Sequence, residues 1–299
     1  MSLLARILCP IDFDERSGRA VAWAEDLALR HGAALTLLHV LPARTESVLM
    51  PQAGEAAHQD RSSGAHIDAL AAMIRERGVR CEVAIVRGDP AFQILQAARD
   101  GAADLVVMAT HGRKGVSRVV LGSVTEAVLN ATPCPLLTIP PAASGGGGAF
   151  LRVLCAVDFS VSSAATFSHA LAMVEPANGE VTILNVVAPA AATAPRDAAR
   201  ADAEDALARL HARATGGIAP WCQLRDEVRF GEPAAEVLKA AAEDDAQLIV
   251  VGAHCRRPAV AALASSNAER IVREARCPVL AVPAPAATLP APVLHPIYA

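Results

Sequence analysis

The feature that most constrains this chain is that it is written twice. RILCPIDF (residues 6–13) returns as RVLCAVDF (152–159), and LTLLHVLP (35–42) returns as VTILNVVAP (181–189), both 146 residues further on. VRGDPAFQIL (86–95) returns as VRFGEPAAEVL (228–238), ADLVVMATHGR (103–113) as AQLIVVGAHCR (246–256), and CPLLTIP (134–140) as CPVLAVP (277–283), now at an offset of 143. One order of segments runs through both halves, with three residues lost midway. Solenoid units repeat every ~20–50 residues. A longer repeat of this kind is a duplicated domain. We therefore read residues 1–140 as a first domain and 150–283 as a second. Between them, residues 141–149 contain four consecutive glycines and form a flexible linker. The Pro/Ala-rich tail, 284–299, is expected to lack packed structure.

Within each copy, short apolar runs alternate with longer amphipathic stretches. In the first copy the strands are expected at 5–12, 34–41, 80–87, 104–109 and 135–139, and the helices at 16–31, 57–77, 90–101 and 123–131. Strands apolar on both sides, alternating with helices, imply a parallel sheet covered on both faces. The composition agrees, because hydrophobic residues make up 53% of the chain and aromatic residues only 3%, leaving the cores to Ala, Val and Leu.

Charge and cysteine usage exclude several functions. A net charge of -4 argues against general nucleic-acid binding. No apolar run reaches the ~18–20 residues that span a bilayer. The opening MSLLARILCPIDFDE is interrupted by Arg6 and closed by Asp12, unlike a signal peptide, so a cytoplasmic location is expected. The seven cysteines are widely spaced with no CxxC pair, which argues against a disulfide framework or zinc ribbon. Cys9, Cys81, Cys155 and Cys222 lie in or beside strand-like runs and read as small buried hydrophobes.

In open parallel sheets, ligands bind beyond the carboxyl ends of the strands where strand order reverses. The residues to inspect are therefore Asp12, His39-Val40 and Ala109-Thr110-His111. The strongest signal is ATHGRKGVSRVVLGS (109–123). SVTE (123–126) has the form of a capping box that opens the last helix, with Ser123 at the cap and Glu126 three residues on. Free amides at such a start attract an anion. Gly112 and Gly122 allow close backbone approach, and Arg113 and Lys114 add charge. The alternative is an ordinary helix start with ordinary turn glycines and, with Arg118, a solvated basic face. Asp12 reads either as an acceptor for a ligand hydroxyl or as a helix N-terminal acid beside Asp14. A metal site from Asp12, His39 and His111 has no supporting ligand spacing.

These residues resemble the universal stress protein family. The family's nucleotide motif is Gly, two residues, Gly, nine residues, Gly, then Ser or Thr. Here it reads Ala109-Thr-His-Gly112, nine residues, Gly122-Ser123, with Ala109 in place of the first glycine. CPIDFDERS, LTLLHVLP, the GDP turn at 88–90 and CPLLTIP carry the likeness through both halves. The resemblance implies an α/β fold of two Rossmann-like (adenine nucleotide alpha hydrolase-like) domains, each a five-stranded parallel sheet in the order 3-2-1-4-5 with helices on both faces. It also implies ATP binding, with a Mg or Mn ion carried by the nucleotide. By family position, Pro10, Ile11 and Asp12 would meet adenine and ribose, and Val40 would offer backbone contacts to adenine. Met108, Ala109, His111, Gly112, Arg113, Gly122, Ser123, Val124 and Thr125 would cradle ribose and phosphates. Last strands pair between subunits in this family. The two halves are thus expected either to pair within one chain as a pseudo-dimer, open to further homodimerisation, or to stand as independent lobes.

The second copy departs further. Cys255 and Ser265 replace the second and third motif glycines and Asn185 replaces His39, while Asp158 and the box SNAE (266–269) remain. Cys255 beside Arg256 and Arg257 reads as a turn residue or a redox-sensitive thiol. No GxxxxGK[ST], HExxH or GxSxG motif occurs, so no dedicated catalyst is expected. Three functions stay open: an ATP-binding stress or signalling protein, a non-binding scaffold or chaperone-like protein, and a weak ATPase in which His111 or Asp12 positions a water.

Overall fold

A computed structural model describes residues 4–43, 53–110, 121–143, 150–175, 178–189, 195–215, 221–253 and 266–284. The first half runs β1 (Arg6–Ile11), α1 (Glu15–His31), β2 (Ala34–Leu41), α2 (Ala53–Glu76), β3 (Arg80–Arg87), α3 (Pro90–Asp100), β4 (Leu105–Ala109), α4 (Ser123–Ala131) and β5 (Leu136–Ile139). The second repeats that order as β6 (Arg152–Val157), α5 (Ser163–Met173), β7 (Glu180–Val187), α6 (Arg196–Thr215), β8 (Gln223–Phe230), α7 (Pro233–Glu243), β9 (Leu248–Ala253), α8 (Asn267–Glu274) and β10 (Val279–Pro283). Most of the linker, residues 144–149, and the tail from 285 onward lie outside the described residues.

Period-two alternation places the strand side chains. On β1 and β4, Ile7, Cys9, Ile11, Leu105 and Val107 enter one core with Val21, Ala24 and Leu27 of α1 and Ile67 and Ile74 of α2. Leu8, Val106 and Met108 enter the other, with Ile94 of α3 and Val128 and Leu129 of α4. Each core continues into the second half, the first through Phe167 and Leu207 and the second through Val237 and Ile271. The cysteines read as buried hydrophobes, Cys9, Cys81, Cys155 and Cys222, are all buried.

The five strands of each half follow the expected order 3-2-1-4-5, and the two sets join in one ten-stranded sheet, β3-β2-β1-β4-β5-β10-β9-β6-β7-β8. The joint is antiparallel, with Val279 opposite Thr138, Leu280 opposite Leu137 and Ala281 opposite Leu136. Thr138 Oγ1 donates to Val279 O at 3.2 Å across it. Every residue of β5 is buried, so water satisfies no ladder groups there and a neighbouring strand must. Away from the joint, Trp23 of α1 stacks on Phe150 at 5.6 Å, and Arg30 pairs with Glu175 at 3.4 Å. Because β5 and β10 run in opposite directions, the carboxyl ends of the two sets of parallel strands lie at opposite edges of the sheet.

Candidate functional site

Strand order reverses between β1 and β4, since β2 and β3 lie to one side and β5 to the other. The ladders differ on the two sides of β1. Its pairing with β2 runs to Ile11 opposite His39. Its pairing with β4 ends at Leu8 opposite Val106. Beyond that point no further β1–β4 pair forms, at the carboxyl ends where a sheet of this order takes its ligand. Pro10 sits where the ladder has stopped, and proline has no N–H to leave unpaired.

The β1–α1 turn forms one wall. Asp14 caps α1 by accepting from Ser17 N at 2.6 Å. Asp12, exposed at the end of β1, accepts from Asp14 N at 3.3 Å through Oδ1, an Asx-type closure of the turn. The helix-acid role therefore belongs to Asp14, and Asp12 stands on the strand end. His39 Nδ1 lies 2.9 Å from Ile11 O, so that nitrogen carries the hydrogen and donates. Asn185 makes the corresponding bond in the second half, Nδ2 donating to Val157 O at 2.9 Å. His39 is thus a tie between strand ends, and an amide replaces it without loss of the bond.

The turn also contains a residue that the sequence reading did not single out. Phe13 has φ 62, as Phe159 has φ 58 in the second half, a backbone region disfavoured for bulky side chains. The ring of Phe13 lies 4.6 Å from that of His39 and 6.0 Å from that of His66 on α2. The available signal was the Asp-Phe pair repeated in both copies.

The other wall is the start of α4. Gly122 N donates to Thr110 O at 2.9 Å, and Thr125 Oγ1 donates to Ala109 O at 3.0 Å. Thr125 is only 3% exposed. Both bonds fasten the helix start to the end of β4. They also correct the expected capping box. Gly122, extended at φ -62 and ψ 137, is the cap residue and has no side chain with which to cap. Ser123 is the first helical residue. The first intrahelical bond runs from Glu126 N to Gly122 O. The amides of Ser123, Val124 and Thr125 precede it, at the positive end of the helix dipole.

In the second half, Ala268 stands where Thr125 does and has no hydroxyl to offer. There Ser266 caps α8, its Oγ accepting from Glu269 N at 3.1 Å. One sequence pattern therefore has two outcomes, and the half with the tether to the neighbouring strand is the one without the serine cap.

Ala109 also gains a place. Its methyl packs into the core shared with α1. A Cβ added at the corresponding Gly252 would meet Ser162 Oγ at 3.3 Å and Thr166 Oγ1 at 3.5 Å, both in the α5 region that corresponds to α1. In the repeat, Ala20 stands opposite Thr166. By alignment, the first half has alanine at both the strand and the helix position, and the second has glycine on the strand and threonine on the helix. This exchange of volume between helix and strand keeps the site packed.

Pro10, Ile11, Asp12, Val40, Met108, Ala109, Gly122, Ser123, Val124 and Thr125 are thus gathered on the carboxyl ends of β1, β2 and β4 and the start of α4. His111, Gly112, Arg113, Lys114 and Arg118 lie outside the described residues, as do Cys255, Arg256, Arg257 and Ser265. The described residues include no cluster of three or more His, Cys, Asp or Glu side chains able to hold a metal ion. Among them, no helix is long and apolar enough to cross a membrane.

Comparison with known proteins agrees with this architecture. The model of the universal stress protein family matches residues 4–140 and again 149–283. A universal stress protein of Mycolicibacterium smegmatis is 26% identical over 289 residues, covering 92% of this chain and 96% of the relative. One of Thermus aquaticus is 34% identical over 136 residues, 44% of this chain and 96% of its own length. The crystal structure of a universal stress protein from Archaeoglobus fulgidus superposes with a TM-score of 0.73 at 20% identity, covering 94% of this chain and 97% of that one, a likeness of fold. With the family pattern matched in both halves on a fold of this kind, the chain belongs to the universal stress protein family.

Proposed function

We propose that the first half binds an adenine nucleotide, ATP with its divalent ion, and that the chain acts in stress response or signalling rather than as a dedicated catalyst. One observation carries this reading. The first half fastens the start of α4 to β4 by the Thr125 and Gly122 bonds and leaves that start without a capping side chain, beside the carboxyl ends of β1 and β4 where their ladder has stopped. Oriented amides at the positive end of a helix are donors for phosphate. Asp12 on the facing wall supplies a carboxylate that suits a ribose hydroxyl. The nucleotide would extend from the Pro10–Asp12 and Val40 strand ends to Gly122–Thr125, with His111, Gly112 and Arg113 closing the phosphate end. In this reading each half is a domain, the two form a pseudo-dimer in the cytoplasm, and the second half serves chiefly to complete the sheet.

The test is substitution at the helix start. Gly122 has φ -62, open to any residue, so Gly122→Val adds bulk without backbone strain. The variant is expected to keep its melting temperature and circular dichroism while losing ATP binding. Mass spectrometry should find adenine nucleotide released from the purified native protein and none from the variant. Equal nucleotide content in the two would show that phosphate does not sit at that helix.

A further inference from the structure

The two halves end their central ladders differently, and the difference begins at one residue. In the first half the ladder between β1 and β4 comprises Ile7 opposite Leu105 and Leu8 opposite Val106, then stops. In the second half the corresponding ladder, β6 with β9, contains the equivalent pairs Val153–Leu248 and Leu154–Ile249 and continues through Cys155–Val250 and Ala156–Val251. Position 156 is alanine where the first half has Pro10. Alanine can donate to a ladder and proline cannot.

A second difference lies at the helix start. Ser266 Oγ occupies the Glu269 amide of α8. Next to it, Glu232 caps α7 by accepting from Ala235 N at 2.8 Å, and the same carboxylate takes Arg270 of α8 at 2.6 Å. In the first half the residue corresponding to Arg270 is Ala127, and Asp89 caps α3 through Phe92 N. α3 and α7 are thus both capped by a carboxylate, and the difference lies at the last helix, where Ser266 caps α8 and no side chain caps α4.

We infer that Pro10 keeps the carboxyl ends of β1 and β4 unpaired by ending their ladder early, and that the second half, paired further along and with its last helix capped by its own serine, takes no nucleotide, so that one chain holds one nucleotide. The stoichiometry rests on the nucleotide reading of the first half. The role of Pro10 in the ladder does not.

Two measurements on the full chain test this. Native mass spectrometry with saturating ATP should show a single nucleotide adduct on the native chain and none on Gly122→Val. Two adducts on the native chain, or one remaining on Gly122→Val, would overturn the stoichiometry. No adduct at all would instead sink the nucleotide reading and the stoichiometry that rests on it. The second measurement needs no nucleotide. Pro10→Ala introduces the residue that the second half already carries in this position, so the fold should persist. Amide exchange in peptides covering residues 105–110 should slow by at least tenfold as the ladder extends, and ATP affinity should fall by at least tenfold. Unchanged exchange in a folded Pro10→Ala chain would refute the role given to Pro10.

Discussion

Thr125 offers the sharpest test of how the site is held. Its hydroxyl donates to Ala109 O at 3.0 Å from a side chain that is 3% exposed, and that bond ties the start of α4 to the end of β4. Thr125→Val replaces the hydroxyl with a methyl of nearly the same size, so no cavity forms. The carbonyl of Ala109 keeps its place but loses this donor, in a bond that is partly buried. Losing one partner of a buried hydrogen bond costs about 1–3 kcal/mol. For a chain of this size each 1 kcal/mol lowers the melting temperature by roughly 2–4 °C. Thr125→Ser is the control, because it keeps the donor and loses only a methyl, at a cost of about 1 kcal/mol. Both variants should therefore melt a few degrees lower. Only Val should also weaken ATP binding, by three- to tenfold, because only Val frees the helix start from the strand. Differential scanning calorimetry and equilibrium titration separate the two effects. Equal ATP affinity in Val and Ser, with both less stable than the native chain, would show that Thr125 packs the site without orienting it.

Two further predictions follow from the core. Ala109→Gly removes a methyl that packs against the α1 side and should lower stability by about 1 kcal/mol. It should change ATP affinity less than twofold, and a tenfold gain on calorimetric titration would show that the methyl had obstructed the ligand. The buried thiols predict an alkaline limit. Burial raises Cys134, Cys222 and Cys277 from the ordinary 9.0 to about 11, and it raises Cys9 and Cys155 as well. Folding favours the protonated thiol, so this contribution is complete below pH 9 and is lost as pH rises through about 11. Chemical denaturation at stepped pH should show stability falling over that window, and a Cys134→Ala, Cys277→Ala chain should fall less steeply.

Much of the fold was legible in the residues. The repeated segments placed each strand and helix of the first copy within a few residues, because buried strands and amphipathic helices carry their environment in their composition. Four features were not legible. The apolar run LLTI announces a buried strand, and the family resemblance offered the last strand of the other half as its neighbour, but nothing in the run states that the two run antiparallel. The box S-x-x-E occurs in both copies, yet only Ser266 caps its helix. The half without the serine cap is the one in which Thr125 reaches Ala109 O, a contact between residues sixteen apart, with Ala268 in the matching place of the other. Pro10 was visible as a letter, but its consequence appears only in the register of two different ladders. Asp12 and Asp14 looked interchangeable until the hydrogen bond from Ser17 N separated their roles.

The central claim is that the first half binds ATP, and isothermal titration of the full chain with ATP and magnesium tests it most directly. The account predicts saturable heat at one nucleotide per chain, with a dissociation constant below millimolar, abolished in Gly122→Val. No heat from a folded native chain at millimolar ATP would contradict it.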